Sequence, residues 1–171
     1  MEHAAMNESG SSRGAPPEGA DTAGEPRKGT GQYTVFLVED DFDDRLQMTG
    51  VLKDSPYIHD IHAFESADRL REHFRKEGYY GGQGPQGPAL ILLDIHMPGT
   101  SGIEFLRELK GNPQTRDIPV IIITGDTSSE RTQEAYHLKA NAYVTKPIHL
   151  DYIHEVIYTG WGWPARHKKS R

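Results

Sequence analysis

The sequence contains no cysteine, so disulfide bridges and thiolate metal sites are excluded. No apolar run approaches the roughly 18 residues that a membrane-spanning helix needs, so no membrane partner is expected. Positive charge is also scarce, because 25 Asp and Glu outnumber 19 Lys and Arg and give a net charge of −6. Broad nucleic-acid binding needs many cations on phosphates and is therefore not expected. The lack of cysteine fits a reducing compartment, and a cytoplasmic location is predicted.

The first 32 residues contain no Val, Ile, Leu, Phe, Tyr or Trp, but they hold six Gly, three Pro and three Ser. Such a segment cannot bury enough apolar surface to offset the entropy lost on ordering, so residues 1–32 are predicted to form a disordered tail. The segment has no apolar stretch of the kind found in signal peptides. One domain is predicted over residues 33–160. A short C-terminal tail follows at 161–171, and its basic residues are interpreted as a solvated end.

From residue 33 onward, short β-rich runs alternate with segments of helical periodicity. The predicted strands are 33–39, 57–64, 89–94, 118–124 and 142–145. The predicted helices are 44–54, 66–78, 102–112, 128–140 and 150–160. The third and fourth strands are apolar almost throughout, as strands buried on both faces must be, which favours a parallel sheet covered by helices. The predicted fold class is therefore α/β, with five strands and five helices.

Polar side chains follow four of the predicted strands. In chain order they are Glu39 and Asp40, Asp94, Thr124, and Lys146. In a parallel α/β sheet these positions converge outside the carboxyl ends of the strands. Clustered carboxylates repel unless a cation neutralises them, and oxygen ligands with room for water and a phosphoryl group suit Mg²⁺. A carboxylate can itself accept a phosphoryl group, so the pattern favours phosphoryl transfer onto Asp94.

Four motifs, "FLVEDD", "ILLDIHMPGTSG", "VIIITG" and "AYVTKP", occur in this order at the ends of the first, third, fourth and fifth strands. Together they resemble the receiver domain of bacterial two-component response regulators, over residues 33–160. The resemblance implies a flavodoxin-like three-layer sandwich with sheet order 2-1-3-4-5. It also implies Mg²⁺ as cofactor and a sensor histidine kinase as partner. The long loop before the third strand resembles receivers that partner bacterial phytochromes, so a bacteriophytochrome is the expected kinase.

The resemblance also assigns roles around the acidic pocket. Asp94 matches the phosphoacceptor, and Asp40 matches a direct Mg²⁺ ligand. Glu39 matches a residue that helps to hold the metal through a bound water. His96 matches the residue whose backbone carbonyl reaches the metal, so its imidazole is expected to be free to tune access to the site.

A second group of matching residues concerns the switch. Thr124 matches the hydroxyl residue that contacts the phosphoryl group and moves on activation, and Tyr143 matches the aromatic residue that switches with it. Lys146 is expected to pair with the acceptor carboxylate or the phosphoryl oxygens. The Lys146–Pro147 bond matches a peptide that is frequently cis in the resembled family. Gly102 matches a glycine in the loop after the acceptor strand.

The residue after Thr124 is Gly125, which has no side chain to cover a phosphoryl group. Water is therefore expected to reach the group readily, and a short-lived phosphorylated state is the hypothesis. His96 and Asp126, each two residues beyond a site residue, are further positions expected to influence that lifetime.

Two groups of residues outside this pattern have other interpretations. The acids Asp41, Asp43 and Asp44 lie at the start of a helix and are interpreted as capping and solvated charge near the positive end of its dipole. Trp161 and Trp163 follow the last helix, and they either cover its end or form an interface. The surface of helix four, strand five and helix five is the usual dimer face of the resembled family, so a homodimer through it is expected.

The leading hypothesis is a stand-alone response regulator, because the eleven residues after 160 are too few for an output domain. It would accept a phosphoryl group onto Asp94 and signal to a downstream protein or phosphotransfer partner. Beyond this modification of itself, it is not expected to be an enzyme. The alternative is an interaction module that works without phosphorylation, although the complete pocket counts against it. A haloacid-dehalogenase-like phosphatase would need a second Asp where this chain has His96.

Overall fold

The computed structural model describes residues 33–82, 88–125 and 130–158. The predicted tails, with Trp161 and Trp163, lie outside these ranges, as does Asp126, so those predictions stay untested. The helices and strands are, in chain order, β1 (Tyr33–Val38), α1 (Phe42–Lys53), β2 (Ile58–Phe64), α2 (Ala67–Lys76), β3 (Ala89–Asp94), α3 (Gly102–Gly111), β4 (Val120–Thr124), α4 (Glu130–His137), β5 (Ala142–Thr145) and α5 (Leu150–Tyr158). Among these helices there is none with the length and apolar character needed to cross a membrane.

The five strands form one sheet, all parallel, in the order β2-β1-β3-β4-β5, which confirms the predicted topology. β3 lies at the centre, and every residue of β3 and β4 is buried. Successive side chains of a strand point to opposite faces of the sheet. One set packs with α1 and α5, and the other packs with α2, α3 and α4, so the sheet is covered on both sides.

The two helical layers hold the strands in fixed register. Large side chains such as Leu37 and Leu92 on one face, and Phe36 and Ile91 on the other, are completely buried. Burying one such side chain stabilises the fold by about 1.5–3 kcal/mol. The strand ends, where the chain becomes polar, are therefore held rigidly beside one another.

Side-chain caps determine where the helices begin. Ser66 accepts a hydrogen bond from the backbone N–H of Arg69 at 3.3 Å and so caps the start of α2, which lies within the predicted helix 66–78. Asp41 caps α1 by accepting from the N–H of Asp44 at 2.9 Å, so α1 begins at Phe42, earlier than predicted. Phe42 is exposed, and apolar periodicity therefore gave no signal for its helical conformation.

The segment after α2, predicted as an irregular loop, begins with a single 3₁₀ turn at Tyr79–Gly81. The ring of Tyr79 stacks on Phe74, with centroids 4.6 Å apart. The Tyr80 hydroxyl donates to a carboxylate oxygen of Glu108 at 3.2 Å. Packing of these two aromatic rings orders a stretch whose glycine content indicated a loop.

Candidate functional site

The carboxyl ends of β1, β3 and β4 meet at one edge of the sheet, as predicted. Val38 of β1 pairs with Leu93, and the next residue of that chain segment is Glu39. Ile123 of β4 pairs with Asp94, and the next residue there is Thr124. Glu39 and Thr124 are fully buried, Asp94 is 3% exposed, and Asp40 is exposed. The Asp94 carboxylate therefore lies at the rim of the core, with the exposed acid Asp40 beside it.

The chain turns sharply after Asp94. Its Oδ1 accepts a hydrogen bond from the backbone N–H of His96 at 2.7 Å. Gly99 follows with φ 79°, a left-handed conformation that costs glycine little. α3 then begins at Gly102, where an added Cβ would lie 2.2 Å from the backbone oxygen of Asp94. The predicted glycine at position 102 thus has a packing cause, since α3 approaches the end of β3 too closely for any side chain.

Lys146 places one ammonium group among three carboxylates. Its Nζ lies 2.7 Å from Glu39 Oε2, 2.9 Å from Asp94 Oδ2 and 2.9 Å from Asp44 Oδ2. The Lys146–Pro147 peptide is cis, as predicted. The predicted contact between Lys146 and the acceptor carboxylate is therefore present, with two further acids sharing the same charge.

The pKa shifts of Glu39 and Lys146 show that the single ammonium does not neutralise the carboxylates around it. Burial raises the pKa of Glu39 above its ordinary value; the hydrogen bond from Lys146 opposes this rise only in part, and the charge of Asp94 adds to it. Burial alone would lower the pKa of Lys146, but hydrogen bonds to Glu39, Asp44 and Asp94 outweigh it and raise that pKa. The ammonium stays charged while the carboxylates remain incompletely neutralised, which favours binding of a further cation.

Glu39, Asp40 and Asp94 form the acidic cluster suited to such a cation. Each offers one carboxylate oxygen, and these three oxygens lie within 4.8 Å of one another. Mg²⁺ binds oxygens at about 2.1 Å in an octahedron that usually keeps several waters. Two oxygens on opposite sides of the ion are thus about 4.2 Å apart. An upper limit of 4.8 Å on each separation is compatible with oxygens around one ion, so the all-oxygen donor set fits Mg²⁺.

The sequence predicted that the imidazole of His96 would be free. In the structure it contacts Thr124, a second residue of the site. Its Nε2 lies 3.1 Å from the hydroxyl oxygen of Thr124, within hydrogen-bonding distance. His96 thus touches Asp94 through its backbone N–H and Thr124 through its side chain. Such a contact between two strand ends has no signature in sequence spacing.

Tyr143 lies on β5, opposite Ile122 of β4, and therefore on the same face of the sheet as Thr124. Its ring stacks on Tyr136 of α4, with centroids 3.8 Å apart. Burial, and to a smaller degree Tyr136, raises the pKa of its hydroxyl. That buried hydroxyl has no hydrogen-bond partner among the described residues. The ring thus links β5 to α4 without a polar contact that would fix its position.

Two residues near the site were not predicted to belong to it. Asp44, interpreted as solvated charge, instead binds Lys146. Arg45 donates from Nη1 to the backbone oxygens of Glu39 at 2.7 Å and Asp40 at 3.1 Å, and so holds the acidic loop in place. Both residues follow Asp40 by no more than five positions in the sequence, and this proximity was the signal available.

Known proteins are similar to this chain in both sequence and fold. Response regulator Rcp1 of Synechocystis sp. is 30% identical over 123 residues, which are 72% of this chain and 82% of Rcp1. The crystal structure of the Mn²⁺-bound form of Rcp1 has a TM-score of 0.58 at 30% identity and matches 75% of this chain and 93% of that one. The phosphorylated cyanobacterial phytochrome response regulator RcpA has a TM-score of 0.59 at 27% identity, with 75% and 90% covered.

Larger proteins match over a smaller part of their length. The phosphate regulon transcriptional regulatory protein PhoB of Escherichia coli is 45% identical over 61 residues, and the chain covers 27% of PhoB. The family model of the response regulator receiver domain matches residues 35–158, which include every site residue described above. This chain therefore belongs to the response regulator receiver family.

Proposed function

We propose that this chain is a stand-alone response regulator that accepts a phosphoryl group on Asp94 and signals through the resulting conformational change. One observation carries the proposal. The Asp94 carboxylate lies at the rim of the sheet, with an oxygen 2.9 Å from the ammonium of Lys146 and its carboxylate within a cluster that fits Mg²⁺. This is the arrangement that phosphoryl transfer to a carboxylate requires.

The transfer would proceed by attack of an Asp94 carboxylate oxygen on the phosphorus of the donor. A new O–P bond forms as the bond between phosphorus and the donor nitrogen or oxygen breaks, and the donor leaves with that electron pair. Lys146 would then pair with the phosphoryl oxygens, and the Thr124 hydroxyl would donate to another of them. Mg²⁺, held by Asp40, Asp94 and the His96 carbonyl, with Glu39 acting through water, would neutralise charge on these oxygens.

The switch would follow from the new charge. We expect the Thr124 hydroxyl, which now lies 3.1 Å from His96 Nε2, to turn its donor toward a phosphoryl oxygen. Tyr143, on the same face of the sheet, would move with it and change the surface made by α4, β5 and α5. We propose this surface as the contact for a second copy of the chain or a downstream protein. No reaction on a separate substrate is part of the proposal.

The proposed phosphoryl donor is a histidine kinase, and specifically a bacteriophytochrome. The support is the similarity to RcpA, which is described as a phytochrome response regulator. Rcp1, whose Mn²⁺-bound form is known, supports a divalent cation in the acidic pocket. Downstream, transfer to another protein or direct contact with one are both consistent with the proposal.

The test is to incubate the full chain with a small phosphodonor, with Mg²⁺ or with a chelator in its place. The expected product is a phosphoryl adduct that forms only with the metal and is released by neutral hydroxylamine, because hydroxylamine cleaves an acyl phosphate but leaves the phosphate ester of phosphoserine intact. A chain that stays unmodified under both conditions would contradict the proposal and favour an interaction module that works without phosphorylation.

Gly125→Val should lengthen the lifetime of the adduct several-fold. An added Cβ at Gly125 meets no atom within 4 Å, so the substitution fits without a clash and places a side chain beside Thr124. The larger residue would restrict the approach of water to the phosphoryl group. Loss of labelled phosphate after removal of the donor measures the lifetime, and Gly125→Ala should fall between wild type and Val. Equal decay in all three proteins would refute the short-lifetime hypothesis.

A further inference from the structure

Asp44 differs from the other two carboxylates that bind Lys146. Its side chain is 41% exposed, whereas those of Glu39 and Asp94 are 1% and 5% exposed. It belongs to the first turn of α1, while the other two lie at strand ends. The ammonium has three N–H groups, and three carboxylate oxygens lie within 2.9 Å of it. Asp44 therefore takes one of the three closest contacts of the Lys146 ammonium, and it accepts a hydrogen bond from it.

The position of Asp44 is well determined by its surroundings. Its backbone N–H donates to the cap residue Asp41, and the neighbouring Arg45 is bonded to the backbone of the acidic loop. Beside it a cleft of about 280 Å³ lies between α1 and the segment that follows β5, with Asp44 and Lys146 among its lining residues. Asp44 thus contacts the ammonium from the exposed part of the site, whereas Glu39 and Asp94 contact it from the buried part.

We propose that Asp44 is a positioning residue that holds Lys146 toward α1 and so keeps Glu39 and Asp94 available to a divalent cation. This inference rests on the proposed function, because it concerns the same metal cluster. With Asp44 present, the single positive charge of Lys146 is shared among three acids. Without it, the ammonium would pair with Glu39 and Asp94 alone and compete more strongly with Mg²⁺ for their oxygens.

Removal of Asp44 also removes one negative charge near the metal, which by itself weakens cation binding. Asp43 supplies the control for this general effect, because it lies in the same first turn of α1, is exposed, and is not a partner of Lys146. Asp43→Asn removes the same charge and leaves Lys146 bound as before. The difference between the two variants isolates the effect of Asp44 on Lys146.

The experiment is a calorimetric titration of Mg²⁺ into the full-length wild type, Asp44→Asn, Asp43→Asn and Asp44→Glu, with folding checked by circular dichroism. We expect the dissociation constant to rise about fivefold in Asp44→Asn and less than about twofold in Asp43→Asn, within the range known for partly exposed ion pairs. Asp44→Glu, which keeps a carboxylate on the same helical turn, should restore most of the affinity.

The same pair of substitutions in a Lys146→Met background completes the test. Without the ammonium, Asp44→Asn and Asp43→Asn should have equal effects. Equal effects in the presence of Lys146, or an excess for Asp44→Asn that persists in its absence, would overturn the inference. Incorporation of phosphate from a small donor into the wild type is measured in a separate experiment. A wild type that binds Mg²⁺ but accepts no phosphoryl group would refute the proposed function, and the titrations would still decide the role of Asp44.

Discussion

Asp94→Asn should reduce formation of the hydroxylamine-labile phosphoryl adduct to the level of a sample without donor. An asparagine amide has nearly the shape of the carboxylate but lacks the charged oxygen that attacks phosphorus. Its side-chain oxygen can still accept the hydrogen bond from the N–H of His96, so the turn after β3 should be retained. The measurement is incorporation of labelled phosphate in the presence of Mg²⁺. Asp43→Asn, which alters an exposed acid outside the cluster, should incorporate phosphate as wild type does.

The same substitution should leave the metal-free protein at least as stable as wild type. The charge of Asp94 raises the pKa of Glu39, so the two buried acids repel each other. Without that charge, Glu39 keeps its ion pair with Lys146 and loses a repulsive neighbour. Urea denaturation of both proteins without Mg²⁺ measures this. A variant that still incorporates phosphate would contradict the assignment of Asp94, and a variant less stable than wild type would contradict the predicted repulsion.

Gly102→Ala should destabilise the fold by about 3 kcal/mol or more, at the upper end for overpacking. The added Cβ would lie 2.2 Å from the backbone oxygen of Asp94 and 2.6 Å from the Cα of Ile95. Both contacts are with backbone, so no side chain can rotate away, and either α3 or the end of β3 must move. Because β3 ends in Asp94, a member of the acidic cluster, we also expect weaker Mg²⁺ binding by whatever folded protein remains.

Gly111→Ala is the matched control for this prediction. Gly111 ends the same helix, and a Cβ there meets nothing within 4 Å. Alanine in place of glycine on a helix changes stability by about 1 kcal/mol or less, in the favourable direction. Chemical denaturation of the two variants compares them directly. Similar stabilities would show that the approach of α3 to Asp94 does not require glycine.

The sheet and the position of the site could be predicted because the apolar pattern and the polar strand ends coincide. β3 and β4 are apolar and wholly buried, which is typical of central parallel strands. The same strands end in Asp94 and Thr124, so the parallel topology alone brought these residues to one edge. Register and chain direction are backbone properties, and strongly patterned sequences specify them well.

The contacts made by individual side chains at that edge could not be predicted in the same way. Asp41 was expected to cap α1, and it does, but the same pattern left Asp44 as a solvated charge. Whether Asp44 reaches Lys146 depends on how α1 packs against the sheet. That packing uses Met48 and Leu52, while Leu46 of the same helix is exposed. A short helix with mixed apolar positions specifies its orientation weakly, and the burial of its neighbours decides it.

The most direct measurement of the central claim is the location of the phosphoryl group. The chain is phosphorylated by a small donor with Mg²⁺, treated with borohydride, which reduces an aspartyl phosphate to homoserine, and digested for peptide mass analysis. We predict a single converted residue, at Asp94, that is absent when the metal is chelated. Conversion at another acid, a phosphoryl group retained on histidine or serine, or an unmodified Asp94 peptide would contradict the account.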